Sequence, residues 1–538
     1  MISPFAGLLG TNYCPTDEEV PEIKALLVDP AHRLKHLNHE IAELQKALDT
    51  LAEERDSVIA YMDGHKALIS PVRRLPLDII QEIFIACIPT YRNCVMSALE
   101  APILLGRICS SWRTIAYSTP RLWARLHIVE PFSYALEHPG QIASETKAAQ
   151  RFAATKEWLG RSGQCPLSIS LHNGPDHRSH NATSPTPSFL QALVLFASRW
   201  EHMEFTLSLV ALDAISHLTK TDVPLLKSVT LLNQNQILPR RADLEGFTML
   251  QGPRFFGFCA SSIDLITEGL PLPWNQLTVL EVTGPSWETS MNSESWLLFL
   301  QRCPQLHTCK LSTNDHQLTG PPSSAALIEF TSLRTLELQC EIVETTVTHL
   351  LNRLSLPGLR NFVLGGQITS QQAPSLAQFF GRASRLELLD ICSYTFSRSS
   401  LLDSLRALPS TVRDLTIHDF SHRTFSATTP LDDDVLALLG GDSAPCPALD
   451  SFQLFHCTNV SDEALVQFIM ARMSDEFQTK LKNVAVQFER PMTLDIHSSL
   501  PPFVSDNLRL LVSHLPPFKM RSSPWQGLDE GPVPTYML

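Results

Sequence analysis

Apolar residues recur in 3,4 alternation at Leu34, Leu37, Ile41, Leu44, Leu48 and Leu51, then at Val58 and Met62, with Arg55 alone interrupting the stripe. This spacing predicts a helix over 31–69 that carries a heptad seam. Lys35, Glu40, Glu43, Lys46, Asp49, Glu53 and Glu54 fill the positions between, as a solvated helix face requires. A seam of this length fits two arrangements, self-association as a coiled coil or packing back on the chain's own next domain. Arg55 at a seam position and Asp63-Gly64 just beyond favour a helix that ends and folds back.

The next block, SPVRRLPLDIIQEIFIACI, predicts a helix with Pro76 in its first turn, where a fixed φ pre-organises the start. Ile79, Ile80, Ile83, Phe84, Ile85, Cys87 and Ile88 cover more than one face of it. A small domain can bury only part of such a helix, and the remainder implies a partner surface. APILLGRICSSWRTIAYS predicts a second helix carrying Leu104, Leu105, Ile108, Cys109, Trp112, Ile115 and Ala116, after which Pro120 opens a turn with Leu122 and Trp123. Taken singly, Ile80, Ile108 and Ile115 each read as helical core rather than as contacts with another protein.

From Cys165 the pattern changes. CPLSISL alternates like a strand, HNGPDHRSHNATSPTPS is a polar loop, and FLQALVLFASRW returns to a helical period. The motif L-x-x-L-x-L then recurs with first positions at Leu226, Leu277, Leu306, Leu333, Leu359, Leu386, Val412, Leu449 and Leu481, at intervals of 51, 29, 27, 26, 27, 26, 37 and 32 residues. Five intervals near 27 match the 20–29-residue period of leucine-rich repeats. The interval of 51 is expected to hide a degenerate repeat around PRFFGFCASSIDL. Helical stretches such as SWLLFLQRC, TTVTHLLNRL, SLAQFFGRA, LLDSLRAL, DDDVLALLG and DEALVQFIMARM lie between the strands and should form an outer layer. The repeat's turn-satisfying Asn or Cys occurs only as Asn314 and Cys457.

Composition narrows the function. With 538 residues, 44% hydrophobic and 18% charged, the chain has ample material for a large core and is not a disordered protein. Forty-two basic against 55 acidic residues give a net charge of -13, and basic residues come only in pairs such as Arg73-Arg74 and Arg240-Arg241, so nucleic acid is not expected as a partner. No run of 18 apolar residues occurs and no basic residue precedes the apolar stretch in MISPFAGLLG, so neither a membrane span nor a secretory signal is expected. Twelve scattered cysteines without a C-x-x-C pair fit reduced thiols and a cytoplasmic or nuclear location. A proline count of 38 against 22 glycines predicts many short elements punctuated by proline.

No enzyme signature appears: G-x-S-x-G, H-E-x-x-H, a P-loop and G-x-G-x-x-G are all missing, so no catalytic residue, cofactor or metal is assigned. His172, His177 and His180 read as a polar loop without a neighbouring Cys, and Cys309, near Cys303 and His307, as an inward repeat position. GGDSAP at Gly440 needs no role beyond a repeat loop, and the sequon Asn181-Ala182-Thr183 has no meaning in a cytosolic protein.

Leu75-Pro76, the Ile79/Ile80/Ile83/Phe84 cluster, Ile108-Cys109, Trp112-Arg113 and Leu122-Trp123 resemble the F-box, a three-helix module, in order and approximate spacing. The heptad helix running into SPVRRLP and the run EAPILLGRICSSWRTIAYSTPRLW are similar to F-box proteins of mushroom-forming fungi, and FHCTNVSDEALVQFI resembles a cysteine-containing leucine-rich repeat. Two departures are Asp78, where many F-boxes have Glu, and a longer segment from Pro89 to Pro102.

The resemblance implies a mainly α N-terminal part followed by an α/β leucine-rich-repeat solenoid of nine or ten units with a concave parallel sheet. The expected boundaries are a leader over 1–30, the heptad helix over 31–69, the F-box over 70–128, a helical connector over 129–164, the repeat arc over 165–505 and a C-terminal cap or tail over 506–538. The implied function is that of a non-catalytic substrate adaptor of an SCF-type ubiquitin ligase. Leu75, Pro76, Ile79, Ile80, Ile83, Phe84, Ile108, Cys109, Trp112, Leu122 and Trp123 would dock a Skp1-like subunit, and through it a cullin, while the repeats hold an unknown protein target. The alternative is a Skp1-binding scaffold outside ubiquitin transfer; an undetected enzyme within 130–220 is a third reading. On the strands, side chains alternating with the core positions would face the target. Glu337, Asp390 and Asp414 there suggest a basic target segment, and also read more simply as solvent-facing positions of an acidic protein.

Overall fold

The computed structural model describes residues 3–130, 141–172, 186–207, 209–232, 246–261, 270–282, 291–315, 318, 326–340, 343–366, 375–419, 430–441 and 444–514. His177, His180, the sequon Asn181–Thr183 and the Arg240-Arg241 pair lie outside them. The chain divides into two units, Met1–Ile83 and Phe84–Leu538.

The first unit is dominated by one helix, α1 (Glu19–Leu68), of 50 residues and therefore about 75 Å. It starts well before the expected boundary at residue 31. Glu19 fixes the start by accepting the Thr16 N–H at 2.8 Å and the Tyr13 hydroxyl at 2.9 Å. Pro30 lies inside the helix, where it removes one intrahelical bond without imposing a foreign φ. The helix also runs through Asp63-Gly64, contrary to the expected stop, because one exposed glycine costs only about 1 kcal/mol in so long a helix. None of its residues is buried. A 3-10 turn (Pro71–Arg74) and an extended Leu75 lead into α2 (Leu77–Ala86), whose last turn belongs to the second unit.

In that second unit the expected single helix over 101–118 is instead two, α3 (Leu105–Ile108) and α4 (Ser110–Tyr117). Cys109 breaks them apart. Its backbone is extended, with φ -156° and ψ 171°, and its sulfur caps α4 by accepting the Trp112 N–H. Arg113 Nε donates to Gly106 O at 2.8 Å and holds the two turns together. Trp123 follows in a 3-10 turn and is fully buried: its indole donates to Ala116 O at 2.8 Å, and its ring meets Trp158 edge-on at 4.8 Å. Trp158 belongs to α5 (Gln141–Arg161), the expected helical connector.

Among the described residues, beside a separate short parallel pairing of Ile328–Glu329 and Leu354–Ser355, the rest of the unit is built on one sheet of 14 strands whose spatial order is the chain order. They are β1 (Arg125–Val129), β2 (Leu167–His172), β3 (Trp200–Thr206), β4 (Ser228–Leu232), β5 (Gly257–Ala260), β6 (Val279–Val282) and β7 (Thr308–Thr313). Then follow β8 (Thr335–Cys340), β9 (Asn361–Gly366), β10 (Leu388–Cys392), β11 (Asp414–His418), β12 (Ser451–Cys457), β13 (Asn483–Phe488) and β14 (Arg509–His514). Every neighbouring pair is parallel. A parallel sheet with sequential order is an α/β, solenoid-like architecture in which each strand needs only its chain neighbours.

All nine sequence motifs form strands, and the suspected degenerate repeat is β5. The sheet nonetheless extends beyond the expected 165–505 at both ends, through β1 and β14. The five unforeseen or half-foreseen strands place Trp123, Pro166, Trp200, Phe255 and Asn507 where the motif has its first leucine, which a search for Leu cannot detect. Between strands stand the expected helices, among them α6 (Thr186–Val194), α7 (Ser293–Leu300), α8 (Val343–His349), α9 (Ala377–Phe380), α10 (Arg398–Arg406), α11 (Asp433–Gly440) and α12 (Asp462–Arg472). They cover one sheet face: Phe362 of β9 meets Phe379 of α9 at 4.8 Å, and Phe452 of β12 meets Phe468 of α12 at 4.8 Å.

The long Pro89–Pro102 segment has a structural use. Cys94 O accepts the β1 amide of His127 at 2.7 Å, and Arg125 donates to Pro89 O at 2.8 Å and Arg92 O at 2.7 Å. The segment thus covers an edge that would otherwise expose unpaired backbone.

Buried polar links join successive repeats. Arg382 donates to Leu351, Asn352 and Leu354 carbonyls, and Arg472, itself fully buried, to those of Leu439, Pro445 and Cys446. Each thereby satisfies carbonyls left open at the end of the preceding helical turn and in the connection after it. Carboxylates work at the other helix ends. Asp433 accepts both the N–H and hydroxyl of Ser461, and Asp462 both those of Thr493, all at 2.7–2.8 Å.

Candidate functional site

Opposite the helices the sheet presents an open face whose columns follow from register. Along strands such as β7 and β8, side chains at alternate positions are buried and most of their neighbours half-exposed. One column runs Ser228, Gly257, Val279, Thr308, Thr335, Asn361, Leu388, Asp414, Ser451, Asn483 in paired register. The next runs Thr230, Cys259, Glu281, Lys310, Glu337, Val363, Asp390, Thr416, Gln453, Ala485. Glu337, Asp390 and Asp414 therefore fall on β8, β10 and β11, within four consecutive strands.

Their charges are not equivalent. Lys310 Nζ lies 3.7 Å from Glu281 Oε1 and 3.4 Å from Glu337 Oε2, so Glu337 belongs to an acid–lysine–acid row across β6, β7 and β8. Burial disfavours the Lys310 ammonium, but the two carboxylates outweigh it and raise its pKa above the ordinary lysine range. Asp390 Oδ1 lies 3.3 Å from His418 Nε2, and the His418 ring stacks on Phe455 at 5.1 Å. Asp414 is flanked in its own column by Leu388 and Ser451. The central face is thus a net-acidic surface with one lysine and an aromatic–imidazole stack at its border. Lys310 stands in the same column as Glu337, one strand away.

Towards β1 the face becomes neutral. His127 Nδ1 lies 2.8 Å from Ser170 Oγ, and His202 Nδ1 lies 2.8 Å from Ser228 Oγ. Burial lowers both imidazole pKa values, with the neighbouring His172 adding to the effect at His127. Serine–histidine pairs of this kind invite a nucleophile reading, but Ser170 is only 4% exposed and also takes a hydrogen bond from Asn93 Nδ2 at 3.1 Å. The pair ties Asn93 to the sheet instead. Among the described residues no group of three or more His, Cys, Asp or Glu side chains is placed to hold a metal ion. Cys303 and Cys309 are fully buried, and Cys309 is core as the repeat position predicts. Burial pushes the Cys94 thiol up to about 11 and the Cys457 thiol up to about 12, so neither is a nucleophile at neutral pH.

A second set of candidates lies on the short helices. In the first unit Leu77, Ile79 and Ile83 are 55%, 45% and 43% exposed, Pro76 is exposed, Leu75 is half-buried, and Ile80 is buried. In the second unit Ile108 is 55% exposed at the end of α3 and Cys109 is exposed beside it. Trp112 is half-buried, with its ring 4.8 Å from Phe84. Phe84, Leu122 and Trp123 are core, with no exposed surface. The aromatic residues are thus mostly internal, and the isoleucines divide between core and surface.

No protein-family model matches the chain, and no match to a curated protein is found. No described helix is long and apolar enough to cross a membrane.

Proposed function

We propose that the chain is a non-catalytic adaptor: an F-box-like region docks a Skp1-like subunit of an SCF-type ubiquitin ligase, and leucine-rich repeats hold a protein target. The observation that carries the reading is the exposure of Leu77, Ile79 and Ile83 on α2, large apolar side chains left about half uncovered. A helix with apolar side chains on its outer face is the surface a partner helix bundle requires. The open sheet face, continuous over successive strands, supplies the separate surface an adaptor needs for its target. Leu75, Pro76, Ile79, Ile83 and Ile108 are the contact residues in this reading. Ile80, Phe84, Leu122 and Trp123 are buried and serve as core instead, exposed Cys109 caps α4, and Trp112 is half-buried. Glu337, Asp390 and Asp414 would select a basic target segment.

The test is binding of the full chain to a Skp1-like protein. Leu75→Ala with Pro76→Ala should weaken the complex more than tenfold, above about 1.4 kcal/mol, while Glu337→Lys, Asp390→Lys and Asp414→Lys together leave that complex intact and abolish target capture. A wild-type chain indifferent to the Skp1-like protein ends the reading. Binding without cullin co-purification favours the scaffold outside ubiquitin transfer.

A further inference from the structure

The seam of α1 continues further towards the N-terminus than its leucines alone suggest. Stepping back from Leu34 by the same alternation gives Pro30, Leu27 and Ile23, all inside the helix. The heptad then runs from Ile23 to Met62, with Leu34, Ile41, Leu48 and Arg55 at a and Leu37, Leu44, Leu51 and Val58 at d. Its large members stay uncovered: Leu44 is 71% exposed, Leu51 65%, Ile41 61% and Leu34 60%.

We propose that this seam pairs with α1 of a second copy of the chain, and that the two helices run antiparallel about a two-fold axis between Ile41 and Leu44. This inference is independent of the adaptor reading. In that register each a residue meets a d residue of the second copy. Ile41 meets Leu44, Leu37 meets Leu48, and Leu34 meets Leu51. Further out, Leu27 meets Val58 and Ile23 meets Met62. The two irregular seam positions, Pro30 and Arg55, fall opposite each other. A parallel pair would instead stack Arg55 on Arg55 inside the seam, placing like charges together away from water.

Flanking charges select the same arrangement. Antiparallel helices oppose g positions to g positions, and here Arg33 faces Glu54 of the second copy, twice by symmetry, while Glu40 faces Ala47. Sliding the helices by one heptad in either direction brings Glu40 against Glu54 or Glu40 against Glu40. The parallel alternative opposes Arg33 to Asn38 and Glu54 to Ile59, which leaves both charges without a partner. Only the central antiparallel register joins opposite charges at full overlap. The area suffices as well: ten apolar seam side chains per copy, at roughly 60–120 Å² each when fully covered and about half of that still exposed, offer on the order of 1,000 Å² from two copies, the scale of a specific interface.

Sedimentation and light scattering of the full chain at micromolar concentration test this. The expected mass is twice 60.0 kDa. Leu44→Asp with Leu48→Asp should give a monomer. Because α1 buries no side chain, the thermal unfolding of the sheet should not change in that variant, which separates lost pairing from misfolding. Arg33→Glu alone and Glu54→Arg alone should each raise the dissociation constant about tenfold, and the double reversal should restore it to within about twofold. A monomeric wild type, or a dimer indifferent to Leu44→Asp with Leu48→Asp, overturns the proposal. A dimer in which the double reversal restores nothing overturns the antiparallel register.

Discussion

Helix α1 and the parallel sheet use the same apolar residues to opposite ends. Along α1 the seam leucines and isoleucine from Leu27 to Leu51 stand between 38% and 71% exposed, whereas Leu336, Phe362, Leu389 and Leu415 of neighbouring strands are 0–1% exposed. Backbone chemistry accounts for the difference. A helix closes its hydrogen bonds within itself, so α1 keeps its geometry without a neighbour but gains little from its leucines. A strand has no internal hydrogen bonds and exists only beside another, so each repeat is obliged to pack. The sheet is therefore stabilised by its own chain, and α1 by whatever covers it.

The most severe way to break this contrast is to remove the same kind of mass from both regions. Phe362→Ala empties a site closed by Phe379 at 4.8 Å and should cost about 3–5 kcal/mol in urea unfolding of the sheet. Leu44→Ala should change that unfolding by less than about 0.5 kcal/mol. Similar shifts for the two substitutions would show that Leu44 contributes to folding as a core residue does and would erase the contrast.

A smaller effect sharpens the account of what holds successive repeats together. Asp462 has no exposed surface; its carboxylate accepts from Arg490 and Thr493 at 2.7 Å, from the Leu494 N–H at 2.9 Å, and lies 3.1 Å from His514 Nε2. Burial alone would raise its pKa, but the Arg490 guanidinium, the Thr493 hydroxyl, the Leu494 N–H and His514 outweigh it and hold the carboxyl far below the usual range. A folded-state pKa lowered in this way contributes stability that is complete above the unfolded value near 3.9 and is lost as pH falls below it. Asp462→Asn should cost about 2–4 kcal/mol at pH 7, since one amide nitrogen would confront donors in place of an acceptor. It should also lose less than the wild type does between pH 5 and pH 3. An acid limb as steep in the variant as in the wild type would assign that limb to other carboxylates.

The two regions were also unequally legible. Nine strands and both columns of the open face follow from L-x-x-L-x-L and a period of two, because inward leucines and strand alternation are local consequences of burial. The five strands with Trp123, Pro166, Trp200, Phe255 or Asn507 at the first motif position do not match L-x-x-L-x-L; CPLSISL and PRFFGFCASSIDL marked two of them, and RLHIV carries the same alternation in a third. Asp433, Asp462, Arg382 and Arg472 could not be placed at all: each acts on a residue 26 to 33 positions away, and only register brings the two together. At the short helices, the spacing from Ile79 to Ile88 showed more apolar surface than one face can bury, yet it could not separate the exposed Ile79 and Ile83 from the buried Ile80. The break at Cys109 depended on a sulfur cap that periodicity does not reveal.

The smallest effect concerns the row Glu281, Lys310, Glu337 on the open face. All three side chains are about 30% exposed, and an ion pair that shares water contributes at most about 1 kcal/mol. Lys310→Met should therefore move the urea midpoint little, by less than about 1 kcal/mol, because the methylene stem remains on the sheet while Glu281 and Glu337 lose a screen between them. What changes is the field. Removal of the lysine leaves the central columns more acidic, so capture of a basic target segment should strengthen and become more salt-dependent. Tighter capture at low salt that vanishes near 1 M, with stability unaltered, assigns this row to recognition. A loss of several kcal/mol with no change in capture assigns Lys310 to the fold, and the open face would then resemble the buried clamps behind it more than the exposed seam of α1.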